Sequence, residues 1–155
     1  MSNAVAVFQG PINGFVYFTR NGKYTYIHLK LSGLSKNGVH GFHIHEFGDL
    51  TDGCNSACAH YNPHKKTHGC PGMKNRHVGD LGNIYTDANG DAIYTFRDDI
   101  IKLRGKYSIV GRSLIIHEKP DDCGKGEGVN REESLKTGNA GKRIACAVIG
   151  YAKPT

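Results

Sequence analysis

The sequence has no tryptophan, two methionines and five prolines, and nowhere a run of ~18 apolar residues that could cross a membrane as a helix. No stretch sustains a helical period, so a predominantly helical architecture is excluded. Internal repeats, linkers and low-complexity tracts are absent too. The opening Met1-Ser2-Asn3-Ala4 has neither a basic region nor a long apolar one, which predicts a soluble, non-secreted, cytoplasmic protein with no membrane partner. With 22% charged and 38% apolar residues, wholesale disorder is excluded. A chain of 155 residues fits one domain, 1–155, and buries ~68–70% of its unfolded surface on folding.

What the sequence does have is glycine, histidine and cysteine. The 21 glycines are about twice average usage and predict many tight turns and short strands. Nine histidines beside five cysteines bias the chain towards metal-ligating side chains. The formal net charge of +6 raises nucleic acid as a partner. The basic residues are scattered, however, and Lys65-Lys66 stands isolated with no aromatic stacking motif or basic helix. Nucleic acid is therefore not expected; a basic protein attracts small anions instead.

Alternation with a period of two dominates the rest and predicts about eight strands, at residues 4–8, 14–18, 24–31, 39–46, 83–85, 92–96, 113–117 and 143–151. Asn21-Gly22 marks a hairpin between the second and third strands. Asp87-Ala88-Asn89-Gly90 predicts another, joining 83–85 to 92–96. Ile27, Leu29 and Leu31 fall on one face, with Tyr26, His28 and Lys30 on the other. Two long glycine- and charge-rich segments, 47–78 and 118–142, interrupt the pattern, and loops of that length are usually functional. The chain reads as all-β, an antiparallel sandwich or barrel carrying two large functional loops.

In Gly41-Phe42-His43-Ile44-His45 the two histidines share one face of a strand while Phe42 and Ile44 enter the core. Their imidazoles, ~6–7 Å apart along the backbone, can converge on one metal. His117, at the end of Ser113-Leu114-Ile115-Ile116-His117, can act alike. His60, His68, His77 and Asp80 form a stronger group in one loop, a donor set that suits tetrahedral zinc. Together these donors are too many for one tetrahedral ion. Two metals fit better: a nitrogen-only site of His43, His45, His60 and His117, which suits copper, beside the zinc site.

At these residues the sequence resembles the Cu,Zn superoxide dismutase family. The resemblance runs through Gly41-Phe42-His43-Ile44-His45-Glu46-Phe47-Gly48-Asp49, Arg76-His77-Val78-Gly79-Asp80-Leu81-Gly82-Asn83, Gly111-Arg112-Ser113-Leu114-Ile115-Ile116-His117-Glu118-Lys119 and Lys136-Thr137-Gly138-Asn139-Ala140-Gly141-Lys142-Arg143, in register over nearly the whole chain. It implies an eight-stranded antiparallel Greek-key barrel or sandwich, an architecture of which this enzyme family is itself a standard example. Residues 47–78 would be the zinc loop and 118–142 the electrostatic loop. The implied reaction is disproportionation of two superoxide anions to dioxygen and hydrogen peroxide by alternate reduction and reoxidation of histidine-bound copper, with zinc structural. One copper and one zinc per subunit are implied, with His60 shared as a bridging imidazolate and changing its protonation during turnover.

Asp121 matches the carboxylate that links His43 to His68, and Arg143 matches the arginine beside the open copper position. Thr137 would narrow the channel, and Lys136 with Glu132 and Glu133 would shape the guiding field. Residues 117–143 carry as many acidic as basic side chains, so steering must come from placement. Cys54 and Cys146 match the family's intrasubunit disulfide, where compartment alone favours free thiols. Cys58, Cys70 and Cys123 have no bridging role in the resemblance and are expected to be inert; oxidation, pairing with Cys54 and stray metal ligation are the alternatives. His40 is expected to be structural, and His28 and His64 exposed. A homodimer is implied through positions near Phe47-Gly48, Ile109-Val110-Gly111 and Ile149-Gly150-Tyr151, with a copper chaperone as a candidate partner. The alternative is a non-enzymatic copper-carrying or metallochaperone-like member of the same fold. Loss of a copper ligand or of Arg143 would favour it, and all are present.

Overall fold

Ile27, Leu29 and Leu31 are buried and Lys30 is exposed, so the alternation read from the sequence does place one face of this strand in the core. The same rule builds most of a computed structural model that describes residues 3–154. Its strands are β1 (Ala4–Phe8), β2 (Asn13–Asn21), β3 (Tyr24–Ser32), β4 (Val39–His45), β5 (Thr51–Cys54), β6 (Asp80–Tyr85), β7 (Ala92–Asp98), β8 (Ser113–His117) and β9 (Arg143–Tyr151), with one helix, α1 (Arg131–Thr137). Eight of them form an antiparallel sheet in the order β6-β4-β8-β9-β1-β2-β3-β7 that closes nearly into a barrel. Phe18, Phe42, Ile27, Leu31, Ile44, Leu114, Ile116 and Ile149 fill its interior.

Asn21-Gly22 does form the expected hairpin: β2 pairs with β3 in register up to Asn21 opposite Tyr24, with Gly22 at φ +61°. The second expected hairpin is not made. A turn closes at 87–90, where Gly90 N–H donates to Asp87 O at 3.1 Å and the Asp87 carboxylate accepts from Asn89 and Asp91. The flanking strands then part, β6 to pair with β4 and β7 with β3, at opposite ends of the sheet order. The turn signal is local, whereas pairing depends on which neighbour covers each strand's apolar face.

The long loops hold more structure than the pattern predicts. The first begins with β5 and a short 3-10 turn at Asn55–Ala57, and the second carries α1, only seven residues long. Seven residues give less than two turns of periodicity to read. The end signals are legible nonetheless: Glu132 and Glu133 in the first turn, Lys136 in the last, and left-handed Gly138 as the cap.

Two disulfides and one ion pair tie these loops down. Cys54–Cys146 joins the first loop to β9, with Cα atoms 5.7 Å apart. Cys70–Cys123, at 5.1 Å, joins the first loop to the second and overturns the expectation that both thiols are inert. Cys58 alone is free, and exposed. Arg76 sits fully inside, its Nη1 2.6 Å from Asp98 Oδ1 on β7, while Nε and Nη2 donate to the carbonyls of His77 and Val78. The same Asp98 carboxylate accepts from the amides of Ile100 and Ile101. Removing one partner of such a buried pair leaves an uncompensated charge. Asp98→Ala is therefore expected to lower unfolding free energy by about 3–5 kcal/mol in denaturant titration; a loss under ~1 kcal/mol contradicts this anchoring role.

Candidate metal centre

Period-two geometry on β4 sends His43 and His45 to the side opposite Phe42 and Ile44, with ring centroids 6.1 Å apart. β8 pairs beside β4 and ends in His117. The first long loop lays His60 against β4, where Tyr61 N–H donates to Ile44 O at 2.8 Å and Gly79 N–H donates to Tyr61 O at 3.0 Å. His43, His45, His60 and His117 are all buried, with one donor atom of each within 4.8 Å of the others.

Acceptors on the far side of these rings decide which nitrogen is free. His43 Nε2 donates to Asp121 Oδ2 at 2.6 Å, His45 Nδ1 to Cys58 O at 2.7 Å, and His117 Nδ1 to Gly141 O at 3.1 Å. A carboxylate or carbonyl can only accept, so each ring turns its lone pair the other way. His43 Nδ1, His45 Nε2, His117 Nε2 and His60 Nε2 are accordingly buried without a hydrogen-bond partner. Four neutral imidazole lone pairs converging in one buried cluster are a nitrogen-only coordination set, the kind that suits copper.

The other nitrogen of His60 belongs to a second group. His60 Nδ1 lies 3.1 Å from His77 Nδ1 and 2.9 Å from Asp80 Oδ1; His68 Nδ1 and His77 Nδ1 lie 3.0 and 3.2 Å from that same oxygen. Four ligands at ~2.0–2.1 Å from a tetrahedral zinc would be ~3.3–3.4 Å apart, close to these four edges. Asp80 Oδ1 is aimed inward because Oδ2 is held by the amides of Gly69 and His77 at 2.9 and 2.7 Å. His68 is oriented by Asp121, whose Oδ1 accepts from His68 Nε2 at 2.8 Å. Asp121 thus links His43 to His68, and Asn83 holds its backbone through two hydrogen bonds of 2.7 and 3.0 Å. The donors that lie within 4.8 Å of one another here are those of His43, His60, His68 and Asp80, with His77 joined through Asp80 Oδ1 and His60 Nδ1. With Nε2 committed to Asp121 only His43 Nδ1 is free, and that atom belongs to the four-nitrogen set.

The two groups hold protons differently. Burial, reinforced by neighbouring imidazoles, keeps His43 and His45 well below the usual histidine range, and burial lowers His60 too. Burial also brings His117 down to about 4. These rings are neutral at pH 7 with lone pairs available. Burial would likewise lower His68, but the Asp121 and Asp80 carboxylates outweigh it and raise this ring to about 9. Asp80 lies far below the usual carboxylate range because donation from His60, His68 and His77 overcomes its burial.

A cleft of about 420 Å³ reaches His45, His60 and His117, walled by Glu133, Thr137 and Arg143. Arg143, half-buried, is bolted in place by the carbonyls of Cys54 and Cys58, at 2.8 Å from Nη1 and 2.6 Å from Nη2. Lys136 lines an adjoining cavity that shares Glu133, Thr137 and Arg143. Glu132 lines neither; it is exposed and 3.3 Å from Lys136 along α1. Lys119, Asn130 and Asn139, not foreseen from the sequence, line the main cleft. Gly138 is required beside the centre: at φ +75°, a Cβ here would overlap the Asp121 carboxylate and the His68 ring.

The remaining histidines divide otherwise. His40 is structural as expected, bonded through Nε2 to Ser35 Oγ and through Nδ1 to His117 O, both at 2.8 Å. His64 is exposed, edge-on to Tyr107. His28 is half-buried, correcting its expected exposure, because Thr19 and Thr95 on flanking strands each bond one ring nitrogen at 3.0 Å.

The sequence model of the copper/zinc superoxide dismutase family matches residues 12–149. A protein of Paramecium bursaria Chlorella virus 1 named superoxide dismutase [Cu-Zn] is 58% identical over 97% of this chain and 79% of its own. The superoxide dismutase [Cu-Zn] of Saccharomyces cerevisiae is 53% identical over 97% of this chain and 98% of its own. An extracellular superoxide dismutase [Cu-Zn] of Onchocerca volvulus is 52% identical over 96% and 76% respectively. Among solved structures, that of the clock protein EA4 superposes with a TM-score of 0.89 at 45% identity, covering 96% of this chain and 93% of that one.

A His68 held protonated by two carboxylates must lose that proton to a metal. At pH 7 zinc uptake by the metal-free protein is therefore expected to release about one proton, read from the dependence of calorimetric heat on buffer ionisation enthalpy. Apparent zinc affinity should rise about tenfold per pH unit and level off above pH ~9. No proton release at pH 7 contradicts the charged state of His68.

Proposed function

The chain belongs to the copper/zinc superoxide dismutase family, and from that membership we propose how its own residues divide the work. It is an oxidoreductase that disproportionates superoxide to dioxygen and hydrogen peroxide, with copper and zinc as cofactors. A non-enzymatic copper carrier is not favoured.

In this reading His43, His45, His60 and His117 hold copper, and His60, His68, His77 and Asp80 hold zinc. The observation that carries the assignment is His60, whose Nε2 is orphaned among the first group while Nδ1 sits among the second. Copper supplies one-electron redox chemistry, and zinc supplies fixed positive charge without redox change. His60 Nε2 takes up a proton in one half-reaction and gives it to the reduced oxygen product in the other. Arg143 meets the incoming anion at the cleft mouth. Its guanidinium is charged at any working pH, and two of its N–H groups are already spent on carbonyls, which fixes its direction. Thr137 narrows the approach, Glu133 and Lys136 shape the local field, and Asp121 orients His43 and His68.

The same proposal takes residues 1–155 as one working domain and the protein as a cytoplasmic homodimer, with a copper chaperone as candidate partner. For the dimer, Phe47, Val148 and Tyr151 are exposed, and a Cβ at Gly48 would press on Gly111 O and Val148. Phe47-Gly48, Gly111 and Val148 therefore form one apolar patch. Ile109 and Ile149, counted near the interface from the sequence, point into the core instead. Relatives include extracellular forms, so subcellular fractionation decides the compartment.

Protein reconstituted with copper and zinc is expected to remove superoxide, and His45→Ala to fall to background; equal background rates refute the enzymatic assignment. Arg143→Ala should lower kcat/KM about tenfold or more and flatten its decline with ionic strength. A wild-type rate unchanged from low to high salt contradicts electrostatic guidance. In sedimentation, Phe47→Glu should turn a dimer into monomers, and a wild-type monomer contradicts the dimer.

A further inference from the structure

The centre described so far leaves one covalent bond without a role. Cys70 lies two residues beyond His68 in the first loop, and Cys123 two residues beyond Asp121 in the second. Asp121 is the group on which both loops converge. Its Oδ2 accepts from His43 Nε2 at 2.6 Å, its Oδ1 from His68 Nε2 at 2.8 Å, and that same Oδ1 accepts from the Cys123 amide at 2.7 Å. Near the bond the loops also meet where His68 N–H donates to Leu135 O at 2.9 Å. The disulfide therefore closes a small ring: His68, the Asp121 carboxylate, Cys123, the S–S bond, Cys70 and back to His68.

We propose that the Cys70–Cys123 disulfide is a positioning device for the zinc site, locking the Asp121 carboxylate against His68 so that zinc is retained until this bond is reduced. The proposal rests on the assignment of His60, His68, His77 and Asp80 to zinc. Second-loop residues contribute no zinc ligand of their own, so without the bond only hydrogen bonds keep Asp121 against His68. A ligand whose orienting carboxylate swings away loses its fixed lone-pair direction. Reduction by a small dithiol proceeds by thiol–disulfide exchange: its first thiolate attacks one protein sulfur, and its second resolves the mixed disulfide. The S–S bond passes to the reductant, and Cys70 and Cys123 each gain one proton as two electrons enter the protein. Cys123 is half-buried and Cys70 buried, which makes Cys123 the sulfur open to attack.

The test uses full-length protein carrying Cys58→Ser, which removes the free thiol and with it disulfide shuffling. Zinc-loaded protein with and without Cys70→Ser/Cys123→Ser is mixed with a chromophoric chelator, and zinc release is followed at pH 7. Loss of the disulfide is expected to speed release about tenfold or more, in line with other groups that orient metal ligands. The visible spectrum of cobalt(II) placed in the zinc site should change as well, a signature that a merely stabilising cross-link would not move. A double-mutant cycle with Asp121→Asn locates the effect: removing the disulfide should add little once Asp121 is altered. Cys70→Ala/Cys123→Ala supplies a second pair should the serine variant fold poorly. Equal release rates with an unchanged cobalt spectrum overturn the proposal, as does a full effect of the disulfide in the Asp121→Asn background. Should zinc binding prove insensitive to His77→Ala, the zinc assignment itself fails, a result separable from failure of the clamp.

Discussion

Four imidazole nitrogens, on His43, His45, His60 and His117, are buried and make no hydrogen bond. Each unsatisfied polar group costs roughly 1–3 kcal/mol, so four cost roughly 4–12, comparable to the whole net stability of a typical domain. A fold tolerates that only where bound metal offsets it. The second group stores a further tension, because three imidazoles share one carboxylate oxygen of Asp80. These lone pairs and their single carboxylate are what the rest of the molecule serves.

The barrel serves them through rigidity. β4 and β8 deliver His43, His45 and His117 from paired strands whose other face is packed core, which holds these rings in place. The loops cannot rely on packing in the same way, since their sequence is polar and rich in glycine. They are held by Arg76–Asp98, the two disulfides and the bonds around Asp121. Arg143 follows from the same economy of anchors: the carbonyls that hold its guanidinium belong to Cys54 and Cys58, in the segment tied to β9 by Cys54–Cys146. Arg143 and the two donor groups are thereby parts of one frame.

Much of this was legible before the structure. Period-two spacing alone put His43 and His45 together, because a strand offers only two faces. The zinc-type group could be read from donor types crowded into one loop. Other features were hidden for physical reasons. The Arg76–Asp98 pair joins residues 22 apart in sequence whose neighbours give no hint of burial. The parting of β6 and β7 after a sound turn signal depends on the strands that cover them. Cys70–Cys123 needed the approach of two irregular loops, for which sequence has no period to read. His28, on the polar face of its strand, is half-buried because flanking threonines, which the strand's own alternation does not reveal, satisfy its ring.

The net charge of +6 acts as a background field, while the charges that face the cleft are few: Lys119 and Arg143 against Glu133. What gives the centre its identity is His60, turned so that each nitrogen looks into a different donor set. Electron paramagnetic resonance of protein loaded with copper(II) in both sites tests this most directly. A single imidazolate joining the two ions should couple their unpaired spins and remove most of the signal at low temperature. Two uncoupled copper(II) signals of full intensity would contradict a shared His60.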